Sequence, residues 1–179
     1  MPEVTGRTWG GEPLGRGDCE GEVLLVLWVT GQRPTVGRTA CAWLIGRFID
    51  PLAQFAFAPE PQVSTVASQQ HGRSYDAVPA WYGREVHDGK QRCTFEVLLA
   101  EFALTGDGAL VRLGHAVHAA DAADAVELEQ DSLAAGLLAL ATGALDSEPD
   151  DQRLTRRLCF AYDALYAWCL RETAATVAR

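Results

Sequence analysis

The N-terminal third of the chain contains the pattern that most constrains its fold. Residues 22–30, EVLLVLWVT, form a continuous apolar run with β-branched side chains, which is typical of a buried strand. Residues 38–49 repeat apolar side chains at helical spacing, and Asp50 and Pro51 end that helix, because a residue before proline avoids the α conformation. Gln54–Ala58, QFAFA, reads as a second strand. Two strands joined through a helix predict a right-handed βαβ unit with parallel strands.

The rest of the chain favours helices. Apolar spacing predicts a short helix over 61–70, two consecutive helices between 94 and 122, and a last helix after residue 151. The Ala/Leu-rich segment 133–144 is expected to be a helix buried on most of its sides. Residues 73–84 have no clear periodicity and are expected to be a loop. The predicted fold is α+β and mostly helical, with a small N-terminal parallel β unit packed on a helical bundle.

Length and charge limit the classes of function. We expect a single domain over residues 21–179, preceded by a flexible leader over the Gly/Pro-rich residues 1–20. The net charge of −9 argues against a general nucleic-acid or anionic-membrane partner, since both rely on a positive field. No run is long and apolar enough to cross a bilayer. Five cysteines without paired spacing fit a reducing compartment, so the chain is predicted to be cytoplasmic.

Ionisable side chains are concentrated in residues 86–122. The apolar stripe of the second helix in this segment continues onto Asp121, and a carboxylate on a core face is costly unless it is paired, hydrogen-bonded or bound to a metal. Glu96 borders the stripe of the first helix. His87 lies upstream in a turn. His118 is a neighbour of Asp121 on the helix surface, because the two are three residues apart.

His87, Glu96 and Asp121 are therefore a candidate ligand set. Imidazole and carboxylate ligands with open coordination positions suit a divalent Fe, Mn or Zn ion. The same residues have ordinary explanations: Asp121 can accept hydrogen bonds or pair with an arginine, and His87 can act as a cap. No HExxH or CxxC pattern favours the metal over these alternatives.

The first predicted helix carries a second polar group. Trp43, Arg47 and Asp50 fall on one face at i, i+4 and i+7, which is unusual for a solvated face and indicates contact with another element or a ligand. The alternative is a surface pair between Arg47 and Asp50 beside a packed tryptophan.

Several blocks of the sequence resemble the C-terminal domain of the ChrB-type chromate-resistance proteins. They are WVTGQRPTVGRTACAWLIGRFIDPLAQFAF, HDGKQRCTFEVLLAEFAL, VHAADA and YDALYAWC, and they span residues 28–169. The resemblance implies a bacterial protein linked to chromate or oxidative metal stress. Full-length members resemble regulators with an added N-terminal DNA-binding region, for which residues 1–20 are too short, so we expect no DNA-binding role.

The family pattern carries over onto particular residues of this chain. The positions that match are Arg33, Arg38, Trp43, Arg47, Asp50, His87, Cys93, Glu96 and Asp121. The chain departs from the pattern at Gly37, where the family has Asp, and at Gly46, where it has a basic residue. It also has His118 and Ala122 where the family has Arg and Thr. The exchange at position 118 either adds a metal ligand or removes an anion contact.

Three hypotheses follow. In the first, a metal-binding domain senses or detoxifies a metal or oxyanion, with the metal on His87, Glu96 and Asp121. The anion, such as chromate, would be held by residues of the first block: Arg33, Arg38, Trp43 and Arg47. In the second, the chain is a small non-haem metalloenzyme acting on a small molecule, with His118 (or His115) and Asp121 in catalysis. In the third, the polar residues are architectural, and the chain is a structural or partner-binding module without metal. The long apolar face of residues 133–144 leaves room for a homodimer.

Overall fold

The computed structural model describes residues 25–122 and 125–177. The predicted leader, residues 1–20, lies outside the described residues. Within them, the βαβ unit is confirmed. Strand β1 (Leu27–Gly31) pairs in parallel with β2 (Gln54–Ala58), with Leu27 opposite Gln54 and Gly31 opposite Ala58. All five residues of β1 are buried, which explains why its sequence is apolar without alternation.

The sheet has a third strand that the sequence pattern did not predict. Strand β3 (Arg73–Ser74) lies within the segment expected to be a loop and pairs in parallel with β1, giving the order β2-β1-β3. A strand of two residues has no periodicity of its own, so its existence depends on the distant partner strand. A separate antiparallel hairpin joins β4 (Glu85–His87) to β5 (Lys90–Arg92). Its turn is Asp88-Gly89, and both residues have positive φ, as a two-residue hairpin turn requires.

Within residues 25–122 and 125–177, seven α-helices complete the fold, and the mostly helical α+β prediction is confirmed. They are α1 (Val36–Leu44), α2 (Val63–Gln69), α3 (Thr94–Glu101), α4 (Gly108–Ala122), α5 (Ala125–Gln130), α6 (Ser132–Ser147) and α7 (Asp151–Val177). Helix α1 continues into a π-helical turn, Ile45–Ile49. Helix α4 packs against α3, α6, α7 and α1, so its buried face is the centre of the core. Gly114 on that face lets the Phe95 ring approach, since a Cβ there would lie 3.3 Å from a ring carbon.

The expectation that residues 133–144 are buried on most sides is wrong. Helix α6 buries one narrow stripe, Ala134, Leu137 and Ala141, while Leu140 is 43% exposed and Gly136 and Gly143 face open space. Alanine and glycine lower the polarity of a segment without providing side chains that need burial, so composition overestimated the buried area.

Arg33 connects the first loop to the last two helices. Its guanidinium donates to the carbonyl of Glu148 at 3.0 Å and to that of Leu145, and its backbone N–H donates to Asp151 at 3.0 Å. The carbonyls at the end of α6 lack partners within their own helix, and Arg33 satisfies them. The side chain that was predicted to hold an anion is thus engaged within the fold.

Replacing Arg33 by Met is expected to lower the free energy of unfolding by about 1–2 kcal/mol, because two carbonyls lose their charged donor. Urea unfolding of the variant measures this loss. Arg171→Met on the exposed side of α7 is the control and should change the free energy by less than about 0.5 kcal/mol. Equal effects of the two substitutions would contradict the assigned role of Arg33.

None of the helices that the structure describes is long and apolar enough to span a membrane.

Candidate metal centre and carboxylate cleft

The start of helix α3 orients two potential ligands. Cys93 is the N-cap residue, and its sulfur accepts the backbone N–H of Glu96, while the Glu96 carboxylate accepts the backbone N–H of Cys93 at 2.9 Å. This reciprocal arrangement is a capping box with cysteine in the place usually taken by serine or threonine. The cap fixes the thiol and the carboxylate side by side.

Helix α4 brings His118 to the same point. Its Nδ1 lies 2.6 Å from Oε2 of Glu96. One ligand atom each from Cys93, Glu96 and His118 lies within 4.8 Å of the others, and no other such group of three occurs among the described residues. Cys93 is buried, whereas the side chains of Glu96 and His118 are 23% and 26% exposed. The group is therefore closed on the thiol side and open to solvent on the other.

The thiol of this group is protonated in the free protein. Burial raises the pKa of Cys93 to about 12, and the negative charge of Glu96 adds to the effect, although the hydrogen bond from the Glu96 backbone opposes it. A metal ion bound here would have to displace that proton.

A groove of about 420 Å³ opens beside the group. Glu96 and His118 line it together with Lys90 and Gln91 of strand β5. His115, one turn before His118 on α4, also lines the groove and is exposed. A small molecule in the groove could thus contact an ion held by Glu96 and His118.

His87 lies at the tip of the β4–β5 hairpin. Its side chain is 52% exposed and its Nε2 lies 3.4 Å from Asp88. The structure does not bring His87 into the group of Cys93, Glu96 and His118. The hairpin does border the groove, because His87 is paired with Lys90 across the ladder.

Asp121 does not belong to the ligand group of Cys93, Glu96 and His118. Its side chain is 8% exposed, pairs with Arg84, and accepts the backbone N–H of Gly37 at 3.3 Å. Asp121 thereby caps the first turn of α1, where the N-cap residue Thr35 makes no side-chain cap. The buried carboxylate predicted from the stripe is confirmed, and it has the hydrogen-bonded, arginine-paired environment that the sequence left open as an alternative.

A second carboxylate faces Asp121 in a cleft of about 160 Å³. Asp76 Oδ2 and Asp121 Oδ1 each lie 2.9 Å from the point that a Gly37 Cβ would occupy, so a side chain at position 37 would displace one of them. Burial raises the pKa of Asp76, and the charge of Asp121 raises it further, against the Thr94 hydrogen bond of 2.7 Å and the charge of Arg38.

Arg38 closes the cleft from the α1 side. It pairs with Glu60, lies 4.0 Å from Asp76 Oδ2, and donates to the backbone carbonyl of Asp76 at 3.2 Å. Its side chain is 18% exposed. This predicted anion-binding arginine is thus occupied by two carboxylates, those of Glu60 and Asp76.

Trp43 and Arg47 meet the last helix at a separate site. Trp43 is buried and donates its indole N–H to Asp163 at 3.0 Å. Arg47 lies 3.7 Å from the same carboxylate and is 63% exposed. Asp50 instead accepts the indole N–H of Trp28 at 3.0 Å. The first-helix face therefore contacts another element, and its residues do not converge with Arg33 or Arg38.

Sequence reasoning noted Cys93 as a position that matches the family pattern but did not assign it as a ligand, and it did not include Asp76 in the candidate sites. The signal for Cys93 was present, since a residue three positions before Glu96 at a helix start occupies the N-cap of a capping box. No local signal pointed to Asp76. Its position follows from the unpredicted strand β3, two residues upstream.

Comparison with known proteins confirms the resemblance noted in the sequence. The family described as ChrB, C-terminal domain, matches residues 28–169. Protein ChrB of Cupriavidus metallidurans (strain CH34) is 37% identical over 139 residues, which cover 78% of this chain and 39% of the relative. The chain thus matches less than half the length of that relative. No solved structure matches significantly. Cys93, Glu96 and His118 all lie within the matched segment, and the chain belongs to the ChrB family by its C-terminal domain.

Proposed function

We propose that this chain binds one divalent metal ion through Cys93, Glu96 and His118, and that it handles or senses metal or oxyanion in chromate resistance. The observation that carries the proposal is the convergence of three different ligand atoms within 4.8 Å beside an open groove. Capping alone would explain the contact between Cys93 and Glu96. It does not require the imidazole that α4 adds.

The ligand types narrow the choice of metal. Thiolate favours zinc or iron over manganese, while imidazole and carboxylate suit all three. A metal about 2.0–2.3 Å from each ligand atom needs the Nδ1 of His118 and Oε2 of Glu96 to separate to about 3.3 Å. Both side chains are partly exposed, so a rotation of either one provides that change without repacking the core. Three protein ligands would leave one position of a tetrahedral site open.

The other predicted site residues receive distinct roles in this proposal. Asp121 holds the end of α4 against α1, and so positions His118 one turn earlier. The role of His87 as a further metal ligand remains a prediction. The β4–β5 hairpin would have to move toward the groove before the His87 imidazole could reach the metal. Arg38, Arg33, Trp43 and Arg47 support the fold around the site.

Membership of the ChrB family supports the proposed link to chromate resistance. The relative is named Protein ChrB, and the chain matches less than half of its length, so the link to chromate is proposed for this chain. We propose a cytoplasmic protein with a small-molecule or oxyanion ligand and no nucleic-acid partner, since the net charge is −9. The exposed Ala/Gly face of α6 is the surface available for a homodimer.

A metalloenzyme is the second candidate, and the open metal position favours it. His115 lines the groove, and imidazole is the side chain that most often serves in general acid–base catalysis, so His115 is the available acid or base. Turnover that depends on both the metal and His115 would support this reading.

Elemental analysis tests the metal site. The purified protein is loaded anaerobically with Zn(II), Fe(II) or Mn(II), desalted and measured. We expect about one zinc or iron per chain, little manganese, and loss of the metal in Cys93→Ser. The matched control is Cys159→Ser, a buried cysteine on α7 outside the group, which should retain the metal. Equal metal content in the two variants would refute the proposed ligand set.

A further inference from the structure

We infer that the groove binds an organic carboxylate of metabolite size, with one carboxylate oxygen on the metal and a second anionic group at Lys90. The inference rests on the proposed metal site and specifies the class of its ligand. It follows from the position of one lysine, the charges around the groove and the size of the groove.

Lys90 is the only lysine of the chain, since the other 14 of the 15 Lys and Arg residues are arginines. It lies on β5 and lines the groove together with Glu96 and His118. It forms no ion pair with any side chain that the structure describes. An ammonium group is a compact donor on a flexible stem, which suits an anionic group whose position varies with the ligand.

The acids beside the groove are already neutralised. Asp131 forms two hydrogen bonds with Arg112, at 2.8 and 3.0 Å, and caps helix α6. Burial alone would raise the pKa of Asp131, but the hydrogen bonds and charge of Arg112 lower it overall. Glu96 would share its charge with the metal. Among the described side chains, Lys90 is then the groove's uncompensated charge, so the groove favours an anion.

The size of the groove favours an organic ligand over an inorganic oxyanion. Sites for small organic molecules have volumes of about 300–1,000 Å³, and this groove measures about 420 Å³. A four-oxygen inorganic anion would leave most of that space to water. Gln91, Gln130 and His115 line the remainder and can hydrogen-bond to polar groups along a longer ligand.

The open coordination position of a metal held by this group would face the same space. Cys93 covers the buried side of the ligand group, whereas Glu96 and His118 line the groove. A carboxylate oxygen entering from the groove would complete the tetrahedron, and the far end of the molecule would lie near Lys90.

Cobalt-loaded protein tests the inference, because the visible spectrum of Co(II) changes when an anion enters its open position. The probes are malonate, succinate, glutarate and adipate, with inorganic phosphate as the alternative anion. We expect at least one dicarboxylate to shift the spectrum with saturable binding, and to bind at least tenfold more tightly than phosphate. Lys90→Gln should weaken that dicarboxylate at least tenfold and leave the affinity for Co(II) unchanged. Calorimetry on apo protein should show the dicarboxylate binding at least tenfold more weakly than to the loaded protein.

Arg92→Gln is the matched control, since it removes one positive charge from the same strand. Arg92 pairs with Glu85 at 3.5 Å and is not part of the groove lining, so binding should change less than twofold. Equal weakening by the two substitutions, or no response to any dicarboxylate, would overturn the inference while the metal site stands. Tighter binding of phosphate would assign the groove to an inorganic oxyanion and overturn it too. Failure to bind Co(II) would refute the proposed function itself.

Discussion

His118→Ala is expected to lower the affinity for zinc at least 100-fold, because it removes one of three protein ligands and leaves Glu96 without its partner at 2.6 Å. The affinity is measured by competition with a chromophoric chelator at constant pH. The fold should persist, since the side chain is 26% exposed and lies near the C-terminal end of α4.

His115→Ala provides the control for this experiment. His115 is on the same helix, lines the same groove and lies outside the ligand group, so its removal should change the affinity for zinc less than about threefold. His87→Ala distinguishes the two ligand sets. A loss comparable with that of His118→Ala would restore His87 as a ligand and require the hairpin to close over the groove.

Arg38→Met is expected to lower the free energy of unfolding by about 3 kcal/mol or more at neutral pH. The substitution removes the charge that faces Asp76 and leaves that carboxylate buried beside Asp121. Arg47→Met is the matched control. Arg47 is 63% exposed and lies 3.7 Å from Asp163, and such a pair contributes less than about 1 kcal/mol.

The effect of Arg38→Met should depend on pH with a defined sign. The pKa of Asp76 in the folded chain lies above its usual value of 3.8, so protonation of Asp76 stabilises the fold, and this contribution is lost as pH rises through the folded pKa. Without Arg38 the pKa of Asp76 rises further, because that charge lowers it. The deficit of the variant should therefore be larger near pH 8 than near pH 5.

Adding Asp76→Asn to Arg38→Met should recover part of the lost stability, since the amide carries no charge and can still accept the hydrogen bond from Thr94. Denaturant unfolding at both pH values measures these differences. A pH-independent deficit, or no recovery in the double variant, would show that Arg38 acts only through its carbonyl hydrogen bonds.

The sequence predicted the elements that carry strong local signals. Strand β2 has the predicted bounds, Gln54–Ala58, because its shortness, its two phenylalanines and the prolines on either side favour a strand over a helix. The burial of Asp121 followed from helical spacing alone. The meeting of Glu96 with His118 was within reach of the same reasoning, since both lie at the border of a buried stripe on consecutive helices.

Other features depend on distant contacts that leave no local pattern. Strand β3 exists through its pairing with β1, and it positions Asp76 beside Asp121. Asp121 binds the start of α1 and does not join Glu96, and Gly37, which has no side chain, leaves room there for the carboxylates of Asp121 and Asp76. His87 was placed near the ligands by proximity in sequence, but the turn directs its hairpin into solvent.

The absorption spectrum of the Co(II)-loaded protein tests the central claim most directly, because a thiolate bound to cobalt gives an intense charge-transfer band in the near ultraviolet. We predict this band at one cobalt per chain in the wild-type protein and in Cys159→Ser, and its loss in Cys93→Ser. A wild-type spectrum without a thiolate band, or a band that persists in Cys93→Ser, would contradict the assignment of Cys93, Glu96 and His118 as the metal centre.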